Sequence, residues 1–311
     1  MRRKWGARRI DRLVFLIAFA AAFWGTGLGT QAPEAAGSVR PAVPDSQGGI
    51  QGWTQIGSYD ENTLTAGEGV ATVSQPRHGT SELYRGITSV PSNLQAQGWT
   101  HIGDPDSIRG YVFDAYQGPS SGKSKMFLVT TPSGSSLEYL HTLVPGELYN
   151  NSFAAVSPNT RWMVAGEWET MSHLQIYPTP LLNHTTSPHG GPLQLAGLIE
   201  LDHQVNDIQG CDFVTPTRLI CASDDDSRTL FPNEKPLLEI DLPKALHGKS
   251  VKGHVTDLGS IPQVSSCTGT FEAEGVDFDT FTHVLRVEII QPGSCILSTT
   301  IFEYKPAGGR S

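Results

Sequence analysis

The chain has 311 residues, of which 38% are hydrophobic and 17% are charged, so it holds enough apolar material for a sizeable core. Its 33 glycines and 21 prolines favour a fold with many turns and argue against a helical protein. The formal net charge is -9 and no long basic run follows the N-terminus, which argues against nucleic acid as a partner because phosphate binding needs clustered lysines and arginines.

The N-terminal segment has the order of a secretory signal peptide. Basic residues within 2–12 precede an apolar run over 13–23 that is too short to span a bilayer comfortably, and small residues follow it. We predict a signal peptide over residues 1–30, with cleavage within 27–36 and either a Sec or a twin-arginine export route. An uncleaved membrane anchor or a surface helix is the alternative.

A leader and one domain follow this segment. Residues 31–51 are rich in Ala, Pro, Gly and Ser without a hydrophobic period, which predicts a disordered leader. From residue 52 onward short β-rich runs alternate with turn clusters, and no window of helical length shows a helical period. We predict an all-β domain over 52–306, a disordered tail over 307–311, and no stable membrane span after signal cleavage.

Strands are predicted where short apolar or β-branched runs are bounded by turn residues. In chain order they are Met126–Thr131, Leu137–Thr142, Phe153–Val156, Trp162–Ala165, Leu174–Tyr177, Phe213–Thr215, Arg218–Ala222, Leu237–Ile240, Phe271–Phe278, Leu285–Ile290 and Ile296–Tyr304.

A short repeat and a hairpin pattern predict a β-propeller-like fold. Residues 51–57 read Gln-Gly-Trp-Thr-Gln-Ile-Gly and recur at 97–103 with one change, an interval that one four-stranded blade occupies. Residues 155–165 resemble the inner hairpin of a blade, with Thr160 where glycine is usual. We predict about five blades of antiparallel strands, with residues 297–304 closing the ring against N-terminal strands. An elongated sandwich or a pair of barrels is the alternative.

Four cysteines lie in the C-terminal third, at Cys211, Cys221, Cys267 and Cys295, and none has the CxxC spacing of zinc or redox sites. An even number in an exported chain predicts two disulfides, for which three connectivities exist. Each sequential pair lies symmetrically across a predicted hairpin, which favours sequential pairing. Four free buried thiols are the alternative.

Three motifs carry a resemblance to a class of uncharacterised secreted bacterial proteins. They are Gly-Asp-Pro-Asp-Ser at 103–107, Asn-Asn-Ser-Phe at 150–153 and Gly-Glu-Trp at 166–168. The resemblance extends over residues 53–304. It implies export and a propeller-like fold, and it implies no activity.

Carboxylates and aromatic residues near predicted turns are the candidate ligand-binding residues. They are Asp104, Asp106, Arg109, Glu167, Trp168 and Glu274. Glycoside hydrolysis needs two carboxylates of unequal pKa, and propellers that cleave polysaccharides bring them from separate blades to one mouth. Glu272 and Asp277 are further candidates for that reaction. Trp168 could stack on a sugar ring, and packing between blades is the alternative role.

Other chemistries have weaker signals. No Gly-x-Ser-x-Gly elbow is present at a predicted strand-to-helix turn, and the histidines lack zincin spacing. The acidic run 224–226 and the pair Asp104 and Asp106 could hold calcium, but runs of aspartate between strands are usually solvated turns, so we predict no metal and no cofactor.

We therefore predict a secreted, monomeric, non-catalytic binding or scaffold domain with an extracellular carbohydrate or protein ligand. A polysaccharide-active glycoside hydrolase is the alternative.

Overall fold

The computed structural model of the chain describes residues 49–75 and 79–309. The predicted signal peptide, most of the predicted leader and the last two residues lie outside the described residues. Within the described part, helical structure is limited to α1 (Thr63–Ala66), α2 (Ser92–Ala96) and short 3-10 turns at Ile87–Ser89, Gly293–Cys295 and Ala307–Gly309. None of these described helices is long and apolar enough to cross a membrane. The all-β prediction is confirmed.

The strands of the described part are β1 (Trp53–Asn62), β2 (Gly69–Gln75), β3 (Gly79–Arg85), β4 (His101–Ile102), β5 (Asp106–Ile108), β6 (Tyr111–Gln117), β7 (Ser124–Thr130), β8 (Ser136–Thr142), β9 (Ala154–Val156), β10 (Trp162–Ala165), β11 (Met171–Pro178), β12 (Gly191–Pro192), β13 (Gly197–Val205), β14 (Ile208–Thr215), β15 (Arg218–Ser223), β16 (Pro236–Asp241), β17 (Val251–Ser260), β18 (Glu272–Asp279), β19 (Val284–Ile290) and β20 (Ser298–Pro306).

The strands form five units in chain order, and pairing within them is antiparallel except where the two-residue β12 pairs in parallel with β8. The first is the β2–β3 hairpin. The second runs from β5 to β8, with β4 beside β5 on the edge of β6. The third contains β9, β10, β11 and β13, and the fourth runs from β14 to β17. The fifth runs from β18 to β20 and takes β1 as its outer strand. The third and fourth units also join through the parallel pair β13 and β17.

The first strands of the five units contact one another in a closed ring, which we call the inner ring. Strand β2 contacts β5 and β18, β5 contacts β9, and β14 contacts both β9 and β18. Strand β20 pairs with β1, with Trp53 opposite Pro306. This pairing confirms that the last strand closes against an N-terminal strand, and it covers an edge that would otherwise be open. The architecture is propeller-like.

The hydrophobic core lies between neighbouring units. Phe113 and Phe127 of the second unit pack with Met163 and Tyr177 of the third. Equivalent clusters fill the spaces between the third and fourth units and between the fourth and fifth. Burial of such side chains stabilises the fold by about 1.5–3 kcal/mol each.

Both disulfides have the sequential pairing. Cys211 and Cys221 face each other directly across β14 and β15. Cys267, which precedes β18, is bonded to Cys295 in the turn after β19. Structural disulfides form and persist in oxidising compartments, so both bonds fit a protein that works outside the cytoplasm.

The structure corrects the interpretation of the repeat. Trp53 begins β1, the outer strand of the fifth unit, whereas Trp99 precedes β4 at the inner edge of the second unit. The two copies therefore occupy different positions, and their spacing does not mark equivalent points of two blades. Ile50, which lies within the predicted leader, is buried in the core.

Candidate functional site

The three motifs of the resemblance meet at the end of the inner ring where its strands begin. The backbone N–H of Asp104 donates to the carbonyl of Ser152 at 2.8 Å, and the N–H of Ala154 donates to the carbonyl of Asp104 at 3.0 Å. The N–H of Ser152 donates to the carbonyl of Gly166 at 3.1 Å. Segments that are far apart in sequence are therefore hydrogen-bonded neighbours here.

Asp104 stands between the strands at this end of the ring. Its carboxylate accepts the backbone N–H of Val70 in β2 and of Val276 in β18, both at 3.1 Å. Burial raises the pKa of Asp104 well above its ordinary value. Three glycines leave room for this carboxylate, because a Cβ on any of them would lie within 2.6 Å of an Asp104 oxygen: Gly69, Gly210 and Gly275. Asp104 is fully buried and links two inner strands.

Asp106 and Asp277 link inner strands in the same way. The Asp106 carboxylate accepts the backbone N–H of Val156 in β9, and burial raises its pKa to about 7. The Asp277 carboxylate accepts the N–H of Thr72 in β2 at 2.7 Å and pairs with Arg286 at 2.9 Å. These carboxylates have donors from the backbone of the neighbouring strand, which makes them part of the scaffold.

Glu167 is also held by partners within the fold. The Lys125 ammonium lies 2.6 Å from its carboxylate, and both side chains are buried. The same oxygen accepts the backbone N–H of Leu148 at 2.9 Å and the side-chain amide of Gln175 at 3.1 Å. Lys125 belongs to the second unit and Glu167 to the third, so this buried ion pair joins two units.

Arg109 lies apart from the other predicted residues. It is exposed in the turn between β5 and β6, at the opposite end of the inner strand from Asp104, with a φ of 54°. The structure does not bring Arg109 to the place where the three motifs meet.

Trp168 and Glu274 do share a site, which we call the acidic mouth. It consists of Glu68, His101, Trp168, Asp224, Glu272 and Glu274, which lie at or next to the starts of inner strands and in the turns after β10 and β15. Two of the six candidate residues from the sequence therefore belong to one site.

An aromatic pair forms one side of the acidic mouth. The half-buried rings of Trp168 and His101 meet edge to face, with centroids 5.1 Å apart and an interplanar angle of 80°. The imidazole of His101 lies 3.4 Å from the Glu68 carboxylate. Burial lowers the pKa of His101 to about 4, so the ring is neutral at neutral pH.

Carboxylates form the other side of the acidic mouth. Glu274 interacts electrostatically with Glu272, Glu68 and Asp224, and with the deeper Glu288. Burial, followed by repulsion from these neighbours, raises the pKa of Glu274 well above its ordinary value. Burial and the charge of Glu272 raise the pKa of Glu68 in the same direction. Strongly raised pKa values of carboxyl groups are concentrated at functional sites, although buried structural carboxyls also show them.

The acidic run 224–226 has a cation of its own. The buried Lys235 ammonium lies 2.7 Å from Asp224 and 2.8 Å from Asp226. It also donates to the backbone carbonyl of Asp224 at 2.9 Å. The loop is thus organised around a lysine, in contrast to the calcium alternative. Asp224 also accepts the N–H of Ala273 at 2.6 Å, which ties the loop to β18.

Two cavities of the described surface lie away from the acidic mouth. A groove of about 470 Å³ lies beside the outer strands β13 and β17, and His203, Phe231 and His254 line it. A cavity of about 200 Å³ is lined by residues that include Trp53 and Arg218. Neither contains a candidate ligand-binding residue from the sequence.

Sequence reasoning missed Glu68 and His101, and it treated Glu272 only as a possible hydrolytic group. Glu68 precedes β2, and His101 lies in the two-residue strand β4. The sequence around each of them indicates a turn more than a strand. The available signal was the motif copy at 97–103, in which His101 replaces the glutamine of the first copy.

Comparisons with known proteins give no family. No protein-family model matches the sequence, and no curated protein matches it. Among solved structures, the chain is similar to a gluconolactonase from Xanthomonas campestris, with 11% identity over 65% of this chain and 57% of that chain and a TM-score of 0.35. It is also similar to the Malassezia sympodialis allergen Mala s 1, with 9% identity over 73% and 65% of the two chains and a TM-score of 0.40.

A third similar structure is the β-propeller domain of Cps50 (Swd1) from Myceliophteria thermophila, with 7% identity over 57% of this chain and 45% of that chain and a TM-score of 0.31. The chain spans less than two thirds of each of these three structures. At such identities the comparisons assign no activity to this chain.

Proposed function

We propose that this chain is a five-bladed, propeller-like carbohydrate-binding domain that works outside the cytoplasm as a monomer. In this proposal each of the five units is one blade, and the ligand binds at the acidic mouth. The two disulfides and the signal-like N-terminal sequence support a place of action in an oxidising compartment.

One observation carries the carbohydrate proposal. Trp168 is partly exposed and its ring contacts His101, which lies 3.4 Å from the Glu68 carboxylate. Glu68 in turn interacts electrostatically with Glu274. Ligand sites in proteins combine apolar or aromatic walls with a few polar groups that fix orientation. An indole ring can cover the apolar face of a sugar, and carboxyl groups can hydrogen-bond to its hydroxyls.

A glycan array tests this proposal with labelled protein. Wild type should bind a defined set of glycans, and Trp168→Ala should weaken that binding by about tenfold or more, because loss of an aromatic contact typically costs 1–2 kcal/mol or more. Arg109→Ala is the control, since Arg109 is exposed at the other end of the inner strand. Binding that survives Trp168→Ala, or that is lost in Arg109→Ala, would contradict a site at the acidic mouth.

Glycoside hydrolysis is a second candidate, favoured by the raised pKa of Glu274. A general acid must keep its proton until the glycosidic oxygen accepts it, and a buried carboxyl near other carboxylates has that property. The test is release of reducing ends from each glycan that binds. Turnover that disappears in Glu274→Gln, with binding retained, would establish a hydrolase. Binding without turnover supports the non-catalytic domain.

A further inference from the structure

Two buried carboxylates at the acidic mouth lack the donors that buried charges normally have. Glu274 is 6% exposed and makes no hydrogen bond or ion pair with any described residue. Glu288, on the neighbouring strand β19, is completely buried, and neither of its oxygens makes a hydrogen bond of normal geometry within the described chain. The backbone N–H of Gly275 interacts with Glu288 and lowers its pKa, but burial outweighs this effect and raises the pKa well above its ordinary value. Buried polar groups without partners are rare and costly.

The described cations near these two carboxylates are paired with other carboxylates or uncharged. The Lys235 ammonium is paired with Asp224 and Asp226. His101 is neutral at neutral pH because burial lowers its pKa to about 4. Without a ligand, the carboxyl groups of Glu274 and Glu288 are therefore either charged without a cation or protonated. Such groups suit a ligand that carries a positive charge and hydrogen-bond donors.

The arrangement suits an ammonium group better than a bare metal ion. Within residues 49–75 and 79–309, no three histidine, cysteine, aspartate or glutamate side chains are grouped as ligands of one metal ion. A metal ion needs several such ligands at short distances, whereas an ammonium can donate to one or two carboxylates and also approach an aromatic face. Trp168 provides such a face at the same site.

We propose that the ligand is a polysaccharide or oligosaccharide of amino sugars with free ammonium groups, in which one ammonium donates to Glu274 while Trp168 contacts the sugar ring. This inference rests on the proposed carbohydrate-binding function and adds the chemical class of the sugar.

Binding is coupled to proton release. Burial and neighbouring carboxylates raise the pKa of Glu274, and an ammonium beside it should lower that pKa again, so binding should release protons at pH values between the two. Calorimetry of one titration in several buffers should therefore give an apparent binding enthalpy that varies with the ionisation enthalpy of the buffer. The variation should be smaller in Glu274→Gln, which has no proton to release.

A pair of oligosaccharides with one backbone provides the sharpest test. The glucosamine hexamer and the N-acetylglucosamine hexamer differ only in whether the nitrogen is a free amine or an amide. At mildly acidic pH, wild type should bind the glucosamine hexamer at least about tenfold more tightly, because one charge-assisted hydrogen bond separates the two ligands. Glu274→Gln should reduce that preference to about threefold or less.

Controls separate the amino-sugar inference from the carbohydrate-binding proposal on which it rests. Glu169→Gln, at an exposed position next to Trp168, should keep the preference. The two hexamers test the inference on wild-type protein alone, so a Glu274 variant that fails to fold does not remove the test. Equal binding of both hexamers would overturn the amino-sugar inference and leave the carbohydrate proposal standing.

A lysine pentapeptide distinguishes a glycan from another cationic partner. Binding of the peptide without binding of either hexamer would overturn the carbohydrate proposal, and it would show that the carboxylates recognise a basic protein segment. Failure of all three probes would overturn the inference, while a glycan array that still reports uncharged ligands would preserve the proposed function.

Discussion

The aspartates of the inner ring and the glutamates at the acidic mouth are buried acids in neighbouring regions, but they differ in the hydrogen-bond donors around them. Asp104, Asp106 and Asp277 each accept a backbone N–H from a neighbouring inner strand. Glu274 and Glu288 accept no hydrogen bond of normal geometry from any described group. Burial raises the pKa in both regions, so burial alone does not distinguish them.

The difference between the two regions is the supply of donors. A buried carboxylate that satisfies the N–H groups of another strand contributes to the fold, because those N–H groups would otherwise be unpaired. A buried carboxylate without donors costs stability, and natural proteins keep such costs mainly where a ligand or a reaction needs them. Substitutions in the two regions should therefore differ in their effect on stability.

Replacing Asp104 should cost the most stability. Asp104→Ala leaves the N–H groups of Val70 and Val276 without their acceptor, at about 2 kcal/mol each, so the free energy of unfolding should fall by about 4 kcal/mol. Urea unfolding measures this change. The matched surface variant Glu169→Gln should stay within about 0.5 kcal/mol of wild type. A loss below about 1 kcal/mol in Asp104→Ala would show that the inner-ring carboxylates are not structural.

Removing one member of the buried pair Lys125 and Glu167 should cost somewhat less. Lys125→Met leaves an uncompensated buried carboxylate and should lower the free energy of unfolding by about 3 kcal/mol. The double variant Lys125→Met with Glu167→Gln should recover much of that loss, because the unpaired charge is gone. If the loss of unfolding free energy in the double variant equals the sum of the losses in Lys125→Met and Glu167→Gln, the pair is not coupled. Glu167 would then be available for a ligand role.

Stability should decrease as the pH rises from about 4 to about 7. Burial raises the pKa of Asp106 and of Asp224 to about 7, so the native chain binds more protons than the unfolded chain in this window. The low pKa of His101 acts in the opposite direction below about pH 6.5 and reduces the effect.

The melting temperature should therefore be several degrees higher at about pH 5.5 than at about pH 8, and Asp106→Asn should flatten the profile. A melting temperature that rises steadily across the same range would show that the buried carboxyls are ionised in the folded protein. That result would show that burial does not raise the carboxyl pKa values as the comparison of the two regions assumes.

Glu274→Gln should have the smallest effect on stability. No hydrogen bond is lost and repulsion from Glu272 and Glu68 is relieved, so the free energy of unfolding at neutral pH should stay the same or rise by less than about 1 kcal/mol. Urea unfolding beside Asp104→Ala gives the direct contrast. A loss as large as that of Asp104→Ala would place Glu274 in the scaffold.

The sequence predicted strands well where turns bracket an apolar run. The predicted strand Trp162–Ala165 has the same bounds as β10, because a turn sequence precedes it and a glycine follows it. Strands β1 to β6, β12, β13 and β17 were not predicted, and in β13 and β17 many residues are polar and face solvent. Their alternation of buried and exposed positions, clear in β17 from residue 251 to 255, was a usable signal.

The candidate site was predictable only in part. Trp168 and Glu274 stood out as an aromatic residue and a carboxylate next to turns, and both lie in the acidic mouth. Their partners Glu68 and His101 come from other units of the ring, so only the closed arrangement of inner strands brings them together. The donors that hold Asp104 and Glu167 are backbone and side-chain groups far along the chain, which a local motif does not reveal.

The most direct test of the unpartnered carboxylate is a pH titration of Glu274 itself. Carbon-13 NMR of its carboxyl group reports the pKa. The account predicts that the Glu274 pKa lies well above its ordinary value in the free protein. It should fall when the glucosamine hexamer is added and stay unchanged with the N-acetylglucosamine hexamer. A Glu274 that titrates at its ordinary pKa, or that responds equally to both hexamers, would contradict the account.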